Sequence, residues 1–251
     1  MSDQRPRLRD LDRATRDAVA ACRERVATLH AELPRNGLVV WTAGNVSERV
    51  LGTDLFVIKP SGVSYDELAS EAMVVCTLDG AKIDDGTPER LTPSSDTAAH
   101  AYVYRHMPEV GGVVHTHSPY ATAWAALGEP IPCVLTMMGD EFGGDVPIGP
   151  FALIGDDSIG QGIVETLRGS RSPAVLMANH GPFTIGPDAR AAVKAAVMVE
   201  EVARTVHLAR QLGMPQPIHS DAVDRLYARY QNVYGQPTAA EDATHSQNQK
   251  G

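Results

Sequence analysis

Cysteine is scarce in this chain: three residues, Cys22, Cys76 and Cys133, among 251. They are scattered, odd in number and form no C-x-x-C pair, so a disulfide framework is not expected and reduced thiols of a cytoplasmic protein are. Basic charge is also short. Lys and Arg number 22 against 31 Asp and Glu, a formal net charge of −9, which argues against non-specific nucleic-acid binding and leaves room only for a local site for one phosphate. No uninterrupted apolar run is long enough to span a bilayer, and the opening MSDQRPRLRD has no apolar core of a signal peptide. A Walker loop, a G-x-G-x-x-G turn, a G-x-S-x-G elbow, a cysteine in a catalytic setting and internal repeats are all missing. A soluble, cytoplasmic protein without nucleic-acid or membrane partners is expected.

What is present suffices for a full core, since 43% of the residues are hydrophobic. Residues 8–33 read as one amphipathic helix, with Ala18, Cys22, Val26, Leu29 and Leu33 at helical spacing. LVVWTAGNVSERV reads as strand, turn and strand, LFVIKPSG as a further strand, and MVVCTLDGAKID as a hairpin about its D-G turn. Ser94, Ser95 and Asp96 are N-cap residue types opening a helix that Pro108 closes. After a helical PYATAWAALG, SPAVLMANHG reads as an apolar strand, and Pro187 opens the longest helix, striped by Val193, Ala196, Val199, Val202 and Val206. From Pro237 the chain is polar and aperiodic, and disorder is expected over 237–251. One α/β domain over 1–236 is the simplest account.

The chemistry starts with GGVVHTHS. If the valines form a strand, His115 and His117 point to one face, as suits a divalent metal, an acid–base pair or two hydrogen-bonded core histidines. His180 also ends an apolar strand, and strand ends are where crevices form. Three histidines leave a zinc position open, as a catalytic ion requires, and Asp96 is a candidate extra ligand or simply an N-cap. The remaining histidines, on helices or in the tail, read as structural. TAGN and KPSG are small-residue turns after strands, and SSD opens a helix. Lys59, Ser61, Gly62, Ser94 and Ser95 are together candidates for holding one phosphate, although such turns are also ordinary loop chemistry. Asp140, read as a loop residue beside Glu141, and Tyr234, just before the tail, carry no compositional signal.

TAGNVS, IKPSG, PSSDT, GGVVHTHS, ANHGPF and VYGQ, in this order, resemble the class II aldolase family and within it the L-ribulose-5-phosphate 4-epimerases. The likeness runs from about Leu38 to Gln236. It implies a single α/β/α domain with a mainly antiparallel central sheet, assembled as a homotetramer. It implies zinc or a similar divalent ion on His115, His117 and His180 with Asp96 as a further ligand, and substrate phosphate near Asn45, Lys59, Ser61, Gly62, Ser94 and Ser95. The epimerases' acid–base pair falls on Asp140 and Tyr234, supplied in that family from a neighbouring subunit. Aldolases of the fuculose-phosphate type carry Glu where Asp96 stands. The sequence departs from the epimerases at Met138-Gly139, where His-Ala is usual, and at Ala228-Arg229-Tyr230. The implied reaction is epimerisation of L-ribulose 5-phosphate to D-xylulose 5-phosphate by retro-aldol cleavage and re-addition. Simple aldol cleavage is the alternative, and a non-catalytic module like the adducin head domains the third reading.

Overall fold

The computed structural model describes residues 5–233; Tyr234 and the tail from Pro237 lie outside the described residues. Helix α1 (Arg13–His30) starts at Asp12, whose carboxylate accepts from the Thr15 N–H at 2.9 Å, and it buries Val19, Cys22 and Val26. The single helix expected over 8–33 is therefore three pieces: a 3-10 turn at Leu8–Asp10, α1, and the short α2 (Glu32–Arg35). His30 closes α1 as a structural residue. Its Nδ1 donates to the Val26 carbonyl at 2.6 Å and its Nε2 accepts from Val46 N–H at 2.9 Å.

The strand expected before TAGN is instead a turn, closed by Ala43 N–H to Val40 O at 3.1 Å with Trp41 at φ 59°. Strands β1 (Asn45–Val50), β2 (Leu55–Ile58) and β3 (Val74–Thr77) follow. The D-G turn forms with Gly80 at φ 83°, but the hairpin's second half pairs back only through a bridge from Cys76 to Lys82. Then come α3 (Thr97–His106), β4 (Gly112–His115), α4 (Pro119–Leu127), α5 (Thr136–Phe142) and β5 (Ile148–Gly149). The described chain ends with α6 (Ser158–Leu167), β6 (Ala174–Met177), β7 (Gly181–Gly186), α7 (Ala189–Leu212) and α8 (Ser220–Val233).

The strands make one sheet ordered β3-β2-β1-β4-β7-β6-β5, antiparallel at every pairing except β5 with β6. Side chains alternate between its faces. Phe56, Ile58, Val113 and Val175 pack under α3 and α6, whereas Leu55 and Val57 meet α1, Val114 meets α7, and Ala174 and Leu176 meet α4 and α7. The result is an α/β/α sandwich, as the resemblance implied. Antiparallel order has a further consequence: the ends of β2, β4 and β6 lie beside the starts of β1 and β7. Lys59, His115, the β6–β7 turn with His180, and Asn45 therefore share one end of the sheet. Among the described residues no helix is long and apolar enough to cross a membrane.

Candidate metal centre and substrate cavity

β4 ends at His115, so His117 lies just beyond the strand, and the two rings converge as expected. Thr116 N–H still bonds the Pro182 carbonyl at 3.2 Å, continuing the register with β7, and the two Nε2 atoms lie 3.0 Å apart. His115 is 1% exposed and stacks on Phe183 with centroids 4.1 Å apart; its Nδ1 lies 3.0 Å from the Pro182 carbonyl oxygen. That bond puts the proton on Nδ1 and leaves Nε2 as a lone-pair donor. His180 enters from the β6–β7 turn, in which Asn179 takes φ 57°.

One nitrogen from each of His115, His117 and His180 lies within 4.8 Å of the other two. Burial pushes all three imidazoles below the usual histidine range. For His115 the neighbouring His180 and His117 push further the same way, while Asp96 partly offsets the shift of His117 and His180. Neutral rings are the ligating form, and three neutral nitrogen donors with a side open to a cavity fit a catalytic divalent ion such as zinc.

Asp96 holds the N-cap position of α3 but its side chain makes no cap bond. One carboxylate oxygen accepts from Asn45 Nδ2 at 2.7 Å, and the other is buried without a partner. It lines the same cavity as His117 and His180, yet the group of ligand atoms within 4.8 Å of one another comprises the three histidines alone among the described residues.

That cavity, about 260 Å³, is lined by Thr42 to Asn45, Lys59, Ser61, Gly62, Ser94, Ser95, Asp96, His117, His180 and Ile154. All six residues expected to meet phosphate thus come together beside the histidines. Asn45 has already committed its amide donors, to Ser94 Oγ at 3.0 Å and to Asp96. Lys59 forms a buried, cationic floor. It is 2% exposed, donates to the Thr42 carbonyl at 3.2 Å and the Pro60 carbonyl at 3.3 Å, and among the described residues pairs with no carboxylate. Burial pushes its ammonium down to about 8. Its charge is left without a counter-charge among those residues, and the N-terminus of α3 adds partial positive charge on the same side.

Affinity for inorganic phosphate is expected to hold below about pH 8 and to fall as pH rises through it, because the ammonium then loses its proton. Lys59→Met should weaken binding by about 10- to 100-fold and remove this dependence. Calorimetric titrations between pH 7 and 9.5 check both; a wild-type affinity flat across that range would remove Lys59 from the anion site.

Asp140 belongs to α5 rather than to a loop, and it does not line the cavity of its own chain; its Oδ1 is buried without a partner. Gly139 explains the helix. A Cβ there would stand 2.8 Å from Leu226 Cδ1, so the residue that reads as a loop-former serves close packing of α5 on α8. Tyr234 lies outside the described residues. Sequence reasoning passed over Ile154 at the cavity wall and the Pro182 carbonyl behind His115, neither of which belongs to any local pattern.

The Class II Aldolase and Adducin N-terminal domain model matches residues 24–207. The chain belongs to this family. Among solved structures, an L-fuculose 1-phosphate aldolase is 25% identical with a TM-score of 0.77, the match covering 84% of this chain and 96% of that one. YgbL from Klebsiella pneumoniae, a proposed aldolase/epimerase/decarboxylase, is 31% identical with a TM-score of 0.70 over 83% of this chain and 98% of its own. An L-fuculose-1-phosphate aldolase from Thermus thermophilus is 24% identical, with a TM-score of 0.64 over 81% of this chain and all of its own. The class II aldolase fold in this chain thus carries a three-histidine group and a Lys59-floored cavity at one sheet end.

Proposed function

We propose that this chain is a divalent-metal-dependent enzyme that cleaves and remakes a carbon–carbon bond in a small sugar phosphate, and that its reaction is 4-epimerisation of L-ribulose 5-phosphate to D-xylulose 5-phosphate. The supporting observation is the juxtaposition of His115, His117 and His180 with the Lys59-floored cavity. A carbinol carbon without an acidic hydrogen cannot be inverted by simple deprotonation, so the adjacent bond must break and re-form. A zinc ion on the three histidines would supply Lewis acidity to neighbouring substrate oxygens, worth several kcal/mol.

The chain's own groups do the rest. Lys59, Ser61, Gly62, Ser94 and Ser95 hold the phosphate of the glycolaldehyde phosphate fragment, so that its aldehyde carbon can present the opposite face without the fragment leaving. Asn45 holds Asp96 at the cavity wall. Inversion needs a proton taken on one face and returned on the other, roles assigned to Asp140 and Tyr234 by resemblance to the epimerases. Because Asp140 does not line its own cavity, the reading includes a second copy of the chain delivering it, in a homotetramer with sites between subunits.

The second reading, aldol cleavage with release of dihydroxyacetone phosphate and an aldehyde, is favoured by the likeness to the fuculose 1-phosphate aldolases. Incubating the zinc-loaded protein with L-ribulose 5-phosphate and, separately, with L-fuculose 1-phosphate separates the two. D-Xylulose 5-phosphate as the main product, lost in Tyr234→Phe, is expected. Dihydroxyacetone phosphate released from the 1-phosphate, with Tyr234→Phe unaffected, supports the aldolase, and no turnover of L-ribulose 5-phosphate with zinc bound overturns the epimerase. A chain that takes up no divalent ion would point to a binding module.

A further inference from the structure

We infer that Glu200, on α7, is a positioning residue for the metal centre, acting through α4. This rests on the reading of the three histidines as metal ligands. Helix α4 begins two residues after His117, and its start lacks the usual caps. Ser118 occupies the N-cap position without a side-chain cap bond, and Pro119 has no N–H to offer. The first free donors are the Tyr120 and Ala121 N–H groups. Each donates to one oxygen of the Glu200 carboxylate, both at 2.9 Å. Glu200 makes no ion pair with Lys or Arg among the described residues. Its charge is directed at the positive end of α4.

α4 is a shared platform for two ligands. At its start it continues directly from His117. Near its end, the Ala125 carbonyl accepts from the Asn179 N–H at 2.9 Å, and Asn179 immediately precedes His180. Gly181 closes the gap between them: a Cβ there would stand 2.7 Å from the Thr116 carbonyl oxygen and 3.4 Å from Thr122 Oγ1. The third ligand, His115, ends β4, which packs on α7 itself. A rotation or slide of α4 along α7 would therefore move His117 and His180 against His115. The Glu200 clamp opposes that slide at the end of α4 nearest the metal. A second bond between the same helices, Trp124 Nε1 to the Ala203 carbonyl at 3.2 Å, sits further along and away from His117.

The two bonds make a controlled comparison. Zinc affinity of the metal-free protein is measured by competition with a chelator, together with the thermal midpoint of the same metal-free sample. Glu200→Ala is expected to lower zinc affinity about 10- to 100-fold, the range for groups that orient metal ligands from behind. Trp124→Phe removes the distal bond and is expected to change affinity less than about threefold, even where it lowers the midpoint as much. Should Glu200→Ala fail to fold, Glu200→Gln, which keeps one acceptor and the side-chain shape, is expected to show an intermediate loss. Wild-type affinity retained in the folded Glu200 variants, or an equal loss in Trp124→Phe, overturns the inference. A wild-type chain that binds no zinc overturns the metal reading, and this inference with it, so the two failures are distinguishable.

Discussion

His115→Ala is expected to abolish stoichiometric zinc uptake and to lower turnover by about 1,000-fold or more, since several kcal/mol of charge stabilisation disappear with the ion. His115 is the most enclosed of the three histidines. Phe183 covers one ring face, the Pro182 carbonyl fixes the tautomer, and burial holds the ring neutral well into the acid range. It therefore contributes an already oriented lone pair, whereas His117 is exposed and more readily replaced by solvent. Metal content by atomic absorption and turnover on the phosphosugar check the expectation together. A His115→Ala protein that still carries one zinc per chain, with activity within tenfold of wild type, would show that the ion is held elsewhere.

Gly112→Ala is expected to destabilise the protein by more than about 3 kcal/mol, or to prevent folding altogether, although it adds one methyl group to a strand. The Gly112 position faces α7. A Cβ built there stands 2.4 Å from Ala189 N and from the carbonyl carbon and oxygen of Asp188, all backbone atoms of the turn that starts α7. Side chains can turn away from a clash of this kind; a capped helix start cannot. Asp188 is engaged as that cap, accepting from the Ala191 N–H at 2.7 Å. Relief requires β4 and α7 to separate, and β4 carries His115 three residues on. The surviving fraction should thus also bind zinc more weakly. Urea unfolding gives the direct measurement, and a variant within about 1 kcal/mol of wild type would show that β4 and α7 have more freedom than their contact implies.

Much of this architecture was legible before any coordinates, because it rests on local rules. The start of α7 was legible at Pro187, beside which the Asp188 carboxylate meets a free N–H three residues on, whereas the Asp12 cap divides what reads as one helix over 8–33. The fold class and the grouping of the three histidines with the KPSG and SSD turns followed from motif order. The errors have physical reasons too. LVVW, before the TAGN turn, reads as a strand by composition, yet the chain turns at Trp41, in a backbone region that bulky side chains seldom occupy. The glycines around Asp140 suggest a loop, but Gly139 is small because Leu226 lies against it.

The chain's own order of residues specifies which groups are available: three imidazoles, one lysine among small turn residues, and an alternating apolar core. It does not specify where they meet. His117 and His180 are 63 positions apart, Asp96 comes from a third element, and Glu200 acts from a fourth. Their meeting point follows from the antiparallel order of β2, β1, β4, β7 and β6, which lays strand ends beside strand starts at one edge of the sandwich. Contacts of that range arise from packing, in which the burial of whole faces selects the arrangement and no neighbouring residue carries a sign of it.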